Sequence, residues 1–110
     1  MKLVSSLCLL FMLAPNMAFS ENLEDCSVVT IDRIYGQATH SHPHNNKMIL
    51  SFSGGQCSIN TAYIANTEAA HDSILSIALA AYMSGKGLRV TIDTDDVVAG
   101  AARITSVNLQ

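Results

Sequence analysis

Three observations predict a mainly β domain with one helix, a five-stranded Greek-key OB-fold barrel in the order β-β-β-α-β-β. Five short segments read as strands, several of them alternating apolar and polar residues. One segment between the third and fourth strands is apolar nearly all round and ends in a glycine stop. All of this fits within about 90 residues, the scale of one small domain. A ferredoxin-like fold needs a second helix, and an SH3-like barrel lacks a long one.

The chain has 110 residues. Residues 1–20 read as a secretory signal peptide. Lys2 opens it, Leu3 to Ala14 is apolar, Pro15-Asn16 breaks the run, and Ala18-Phe19-Ser20 supplies small residues for cleavage before Glu21. The apolar run is too short to span a membrane. Residues 21–110 are then a single domain, secreted or periplasmic. Without Lys2 the six Lys and Arg become five, against nine Asp and Glu, a net charge of −4. That balance excludes a nucleic-acid surface, which needs clustered Lys and Arg, and disfavours anionic lipid. Losing the signal also removes Cys8 and leaves Cys26 and Cys57. In an exported protein such a pair reads as a disulfide. The loop it closes spans 31 residues.

Glu21 to Asp25 reads as a loose lead-in. The first strand is Ser27 to Gly36, with Val29, Ile31 and, after a slip, Ile34 inward, and Thr30, Asp32 and Arg33 in water. The slip predicts a bulge, as where a strand bends around a barrel. Asp32 and Arg33 read as a surface ion pair. Gln37 to Asn46 is a polar loop. Lys47 to Ser53 is the second strand, Gly54-Gly55 a turn, and Cys57 to Ala65 the third strand, broken near Asn60.

The helix is expected to start at an Asn66 or Thr67 cap and to stop at a left-handed Gly85. Ile74, Leu75, Ala78, Leu79 and Tyr82 are its core and oligomer-interface candidates. A surface helix carries one apolar stripe and one polar face. This one is therefore buried on two sides within its own domain, covered on one side by a partner chain, or left on a monomer with one modestly apolar exposed face. An aspartate at Leu79 is expected to abolish the fold or the assembly. Leu88 to Asp93 is the fourth strand, with Leu88, Val90 and Ile92 on one face. Asp93 to Gly100 reads as an acidic turn. It opens like a calcium loop, but Val97 and Val98 occupy positions where an oxygen ligand and a glycine are needed. Ala101 to Leu109 is the fifth strand, with Ile104 and Val107 inward.

Several of these motifs, in order, resemble B subunits of the subtilase cytotoxin and typhoid toxin group. Ser84-Gly85-Lys86-Gly87-Leu88-Arg89-Val90-Thr91-Ile92, after Ala78 to Met83, is similar to that group's passage from an apolar helix through a glycine into a strand. Val28-Val29 with Gly36-Gln37 resembles its first strand, and Cys57-Ser58 the cysteine after its second hairpin. The helix end also resembles the A-x-x-S-G-K pattern of many small exported bacterial proteins. The resemblance implies an OB-fold that forms a five-membered ring, a homo-oligomer whose helices line the centre. It implies a carrier of a toxic A subunit that binds cell-surface glycans and has no catalytic activity of its own. The chain departs from the group after the fourth strand. DTDDVVAGAA, from Asp93 to Ala102, replaces an aromatic-rich segment and a late cysteine pair, and no glycan-contacting residue transfers by position.

Thr39 to Asn45 is the sharpest local feature. In an extended segment alternate residues share a side, so His40, His42 and His44 could converge on one transition-metal ion, with His71 or an Asp as a fourth ligand. The alternative function is thus a stand-alone periplasmic protein that binds metal through this loop. The same histidines titrate near physiological pH and could sense it. No Ser, His and Asp stand in a nucleophile motif, so no enzyme activity is expected.

Overall fold

A computed structural model of the chain describes residues 22–110. The expected signal peptide and its cleavage point before Glu21 lie outside the described residues. Among the described residues five strands and one helix follow the expected order. They are β1 (Leu23–Gln37), β2 (Lys47–Gly54), β3 (Thr61–Ala65), α1 (His71–Ser84), β4 (Leu88–Val98) and β5 (Ala101–Leu109). The strands close into one ring, β1-β2-β3-β5-β4, in which β4 returns to β1. Only β3 and β5 pair in parallel.

The alternation in the sequence sets the interior. Val29, Ile31, Leu50, Phe52, Ala62, Ile64, Leu88, Val90, Ile92 and Ile104 form one buried cluster. Ile34 and Val107 are partly buried against it. From α1, Ile74, Ala78 and Ala81 join the same cluster, so one face of the helix fills the interior that the strands leave open. Apolar side chains removed from water in this way supply the main drive to fold.

β1 serves two neighbours. Its first half pairs with β4 and its second half with β2, so it must bend. Two bulges make the bend. Asp32 is the extra residue against β2, where the sequence slips. Cys26 and Ser27 together stand against Val90 of β4, and Ser27, at φ 62°, donates its N–H to Asp25 Oδ1 at 2.9 Å. The buried Cys26 beside it is bonded to Cys57, with a Cα–Cα distance of 4.6 Å. Gly55 lies against the same point. A Cβ there would stand 2.3 Å from the Cys26 carbonyl oxygen, so no larger residue fits without movement.

Several expected boundaries move. The lead-in is strand from Leu23 onward, pairing Leu23, Glu24 and Asp25 with Asp93, Ile92 and Thr91. Arg89 anchors it, 2.7 Å from Asp25, and holds that carboxyl below its ordinary range. β3 starts at Thr61 rather than Cys57. α1 starts at His71, and no side chain caps it. Asn66 and Thr67 lie too far upstream to cap it, and the Asn66 N–H donates to the Asn46 carbonyl, which extends the β2–β3 ladder. Two successive turns, Glu68 N–H to Ala65 and His71 N–H to Glu68, then use up the expected first helical turn. At the other end Gly85 is left-handed, at φ 71°, as expected.

The acidic turn is also corrected. β4 runs on to Val98, and Val97 and Val98 pair with Ala102 and Ala101. Thr94, Asp95 and Asp96 bulge out between Asp93 and Val97. Thr94 donates through both its N–H and its hydroxyl to the Asn22 carbonyl, and Asp95 N–H donates to Asp93 Oδ1. The turn itself is Ala99-Gly100, both at positive φ. Asp32 and Arg33 do not pair. Asp32 accepts a hydrogen bond from Ser53 Oγ, and the Arg33 guanidinium lies 4.4 Å from the Tyr35 ring centroid.

Candidate functional site

One row of side chains crosses the outside of the ring. Tyr35 stands opposite Ile49, Ile49 opposite Tyr63, Tyr63 opposite Arg103, and Arg103 opposite Asp93. Ile49, Tyr63 and Ala101 are buried there as a second, smaller cluster, with Tyr35 and Val98 packed against it. The sheet is therefore covered on part of its outer face as well as inside.

The polar groups of this face are tied together. The Tyr63 hydroxyl donates to Asp96 Oδ1 at 2.7 Å. Arg103 donates to Asp96 Oδ2 and to Asp93 Oδ2, each at 3.1 Å. Burial, reinforced by the bond to Asp96, pushes the Tyr63 phenol up to about 12. It stays a neutral donor at any physiological pH. Lys47 Nζ lies 5.6 Å from the Tyr63 ring centroid and donates to the Asn45 carbonyl.

The histidine loop lies over this face. His44 is only 5 % exposed and stacks on Tyr63, with ring centroids 6.4 Å apart. Its N–H donates to Gln37 Oε1 at 2.9 Å, while its Nδ1 is buried without a hydrogen-bond partner. His40 and His42 are exposed. The loop therefore does not gather its three histidines. Among the described residues no three His, Cys, Asp or Glu side chains are grouped to hold a metal ion. The register that would align alternate residues is lost because the segment is turn and bend, not strand.

Burial holds the His44 imidazole below its ordinary value of 6.5, and the nearby Lys47 charge adds to the effect. Below pH 6.5 the unfolded chain takes up a proton that the folded chain resists. Stability is therefore full above pH 6.5 and is lost as pH falls from there through the lower folded value. We expect thermal melts between pH 7.5 and 4.5 to show this loss, and His44→Phe to flatten it. An equal slope in the variant would place the acid sensitivity elsewhere.

A shallow depression of about 400 Å³ opens beside the base of the loop. Gly36, Gln37, Ala38, Asn46, Lys47, Met48, Asn66 and His71 line it. It brings together the end of β1, the start of β2, the turn after β3 and the first residue of α1.

The expected interface residues divide by face. Ile74 and Ala78 are buried, and Leu75 is half-buried. Leu79 is 42 % exposed, Tyr82 47 % and Met83 81 %. The outer side of α1 is therefore left uncovered by the rest of its own domain. No described helix is long and apolar enough to cross a membrane. Comparison with protein-family models found no match, and comparison with curated proteins found none either.

Proposed function

We propose that the chain is a non-catalytic, exported OB-fold subunit. In this reading it associates with copies of itself through the outer face of α1 and binds a glycan. The observation that carries it is the second apolar face of the helix. Leu75, Leu79 and Met83 follow the i, i+4, i+8 spacing of one ridge, with Tyr82 beside them. Ser76, Ala80 and Ser84 form a furrow of small, exposed residues next to that ridge. A bulky ridge next to a small-residue furrow is self-complementary. The ridge of one copy fits the furrow of the next, the geometry of ridges-into-grooves packing.

The rest of the chain agrees with this reading. The closed strand order, with a helix between β3 and β4, supports the OB-fold. The disulfide supports an oxidising destination. On the outer face Tyr63, Asp96, Arg103 and Asp93 are tied to one another, which supports a recognition surface rather than a catalytic one.

The native mass of the protein, measured at micromolar concentration with and without chelator, tests the assembly. A ring mass unaffected by chelator is expected. A monomer at every concentration would overturn the association.

A further inference from the structure

We propose that the depression at the base of the histidine loop is a subsite for an uncharged pyranose. The proposal rests on the glycan-binding reading above and specifies which sugars the protein would take. Four nitrogen-bearing side chains reach the depression with polar capacity unspent. Gln37 Oε1 accepts the His44 N–H, which leaves the Gln37 NH2 group without a partner among the described residues. Asn46 Oδ1 accepts from the Thr39 hydroxyl at 2.9 Å, which leaves the Asn46 NH2 group in the same condition. The Asn66 side chain makes no hydrogen bond to any described residue. His71 uses Nδ1 on Asp72, at 3.0 Å, and keeps Nε2.

Two of these amides are fixed in advance. Because their oxygens are already bonded, their orientation is set before a ligand arrives. Less side-chain freedom is then lost on binding. Carboxamides both donate and accept, so they suit hydroxyl groups, which do the same.

The unspent groups that line the depression are mostly neutral amides, which suit the hydroxyls of a neutral sugar. No carboxylate lines the depression, and its one permanent cation, Lys47, is engaged by the Asn45 carbonyl and the Tyr63 ring. The floor is apolar, formed by Gly36, Ala38 and Met48, and it can take the C–H face of a ring. A Cβ on Gly36 would lie 3.0 Å from Met48 Sδ, so the floor there is as low as the backbone allows. No aromatic ring lines the depression, so each site is expected to be weak. A ring of copies would raise weak single-site binding by multivalency.

The test is a nitrogen-15 NMR titration of the full chain in its native assembly. The probes are methyl glucoside, methyl galactoside and methyl N-acetylglucosaminide, with methyl glucuronide as the acidic comparator and glycerol as control. Saturable shifts of the Gln37, Asn46 and Asn66 side-chain NH2 signals are expected for at least one neutral glycoside at about 1–50 mM, the range of a few hydrogen bonds. Asn66 is exposed and unpartnered, so Asn66→Ala should fold normally and weaken binding about tenfold. Ala38→Trp, which fills the depression, should abolish it. Tighter binding of the glucuronide, or unchanged affinity in both variants, would overturn the subsite. Saturable shifts at Arg33 and Tyr35 instead would keep the glycan-binding reading and remove this subsite. Silence toward every glycoside would remove both. A positive titration on a monomer would keep the subsite and remove the ring.

Discussion

Replacing both cysteines, as Cys26→Ala with Cys57→Ala, is expected to cost about 3–4 kcal/mol of stability, by the chain-entropy estimate for a 31-residue loop. For a domain of this size that is a fall in Tm of roughly 15–30 °C. The bridge closes a loop that contains the whole β1–β2 hairpin and the histidine loop. Without it the unfolded chain regains that freedom. The folded chain also loses its fastening at the Ser27 bulge, where β1 turns from β4 toward β2. A small domain has little reserve against a loss of this size. Thermal and denaturant melts of the double variant, compared with the unmodified protein, check the figure. A loss under about 1 kcal/mol would mean that strand pairing around Cys26 already restrains the chain as well as the bond does.

The parts of the fold that were legible are those fixed by neighbours in sequence. Leu88, Val90 and Ile92 alternate and are fully buried. Gly85 stops the helix because a left-handed residue is needed there. The slip between Ile31 and Ile34 marks a real bulge at Asp32, because an extra residue shifts the inward positions by one. The errors have a common cause, which is a partner distant along the chain. Asp93 to Gly100 reads as an acidic turn because Arg103, which balances Asp93 and Asp96, lies on the next strand. Asn66 reads as a helix cap because nothing local shows that the Asn46 carbonyl claims its N–H. Tyr63 and Ile49 are buried outside the interior cluster because the outer face is itself covered, which strand alternation alone does not show. His44 was visible as a histidine in a loop. Its separation from His40 and His42 was not, because it depends on the Tyr63 ring two strands from β1.

Leu79→Asp is expected to leave the single chain folded and to dissolve its assembly. The side chain is 42 % exposed on the isolated domain, so an aspartate there keeps contact with water. The cost to the monomer is then mainly helix propensity and a little lost packing, under about 1 kcal/mol. Ala78, one position earlier, is fully buried in the interior cluster. Ala78→Asp should therefore unfold the domain, because its charge has neither water nor a partner. The contrast between adjacent positions separates the two faces of the helix. In the proposed assembly Leu79 occupies the middle of the ridge, between Leu75 and Met83. A charge brought there against another copy is expected to cost on the order of 2–4 kcal/mol at each contact, a roughly 30- to 700-fold weaker association. Circular dichroism and native mass, measured on the same samples, check both halves. A folded monomer for Leu79→Asp beside an intact oligomer for the unmodified chain is the expected pair of results. A Leu79→Asp protein that still assembles would move the contact off α1, and the half-exposed Val28 and Leu109 on β1 and β5 would be the next face to test.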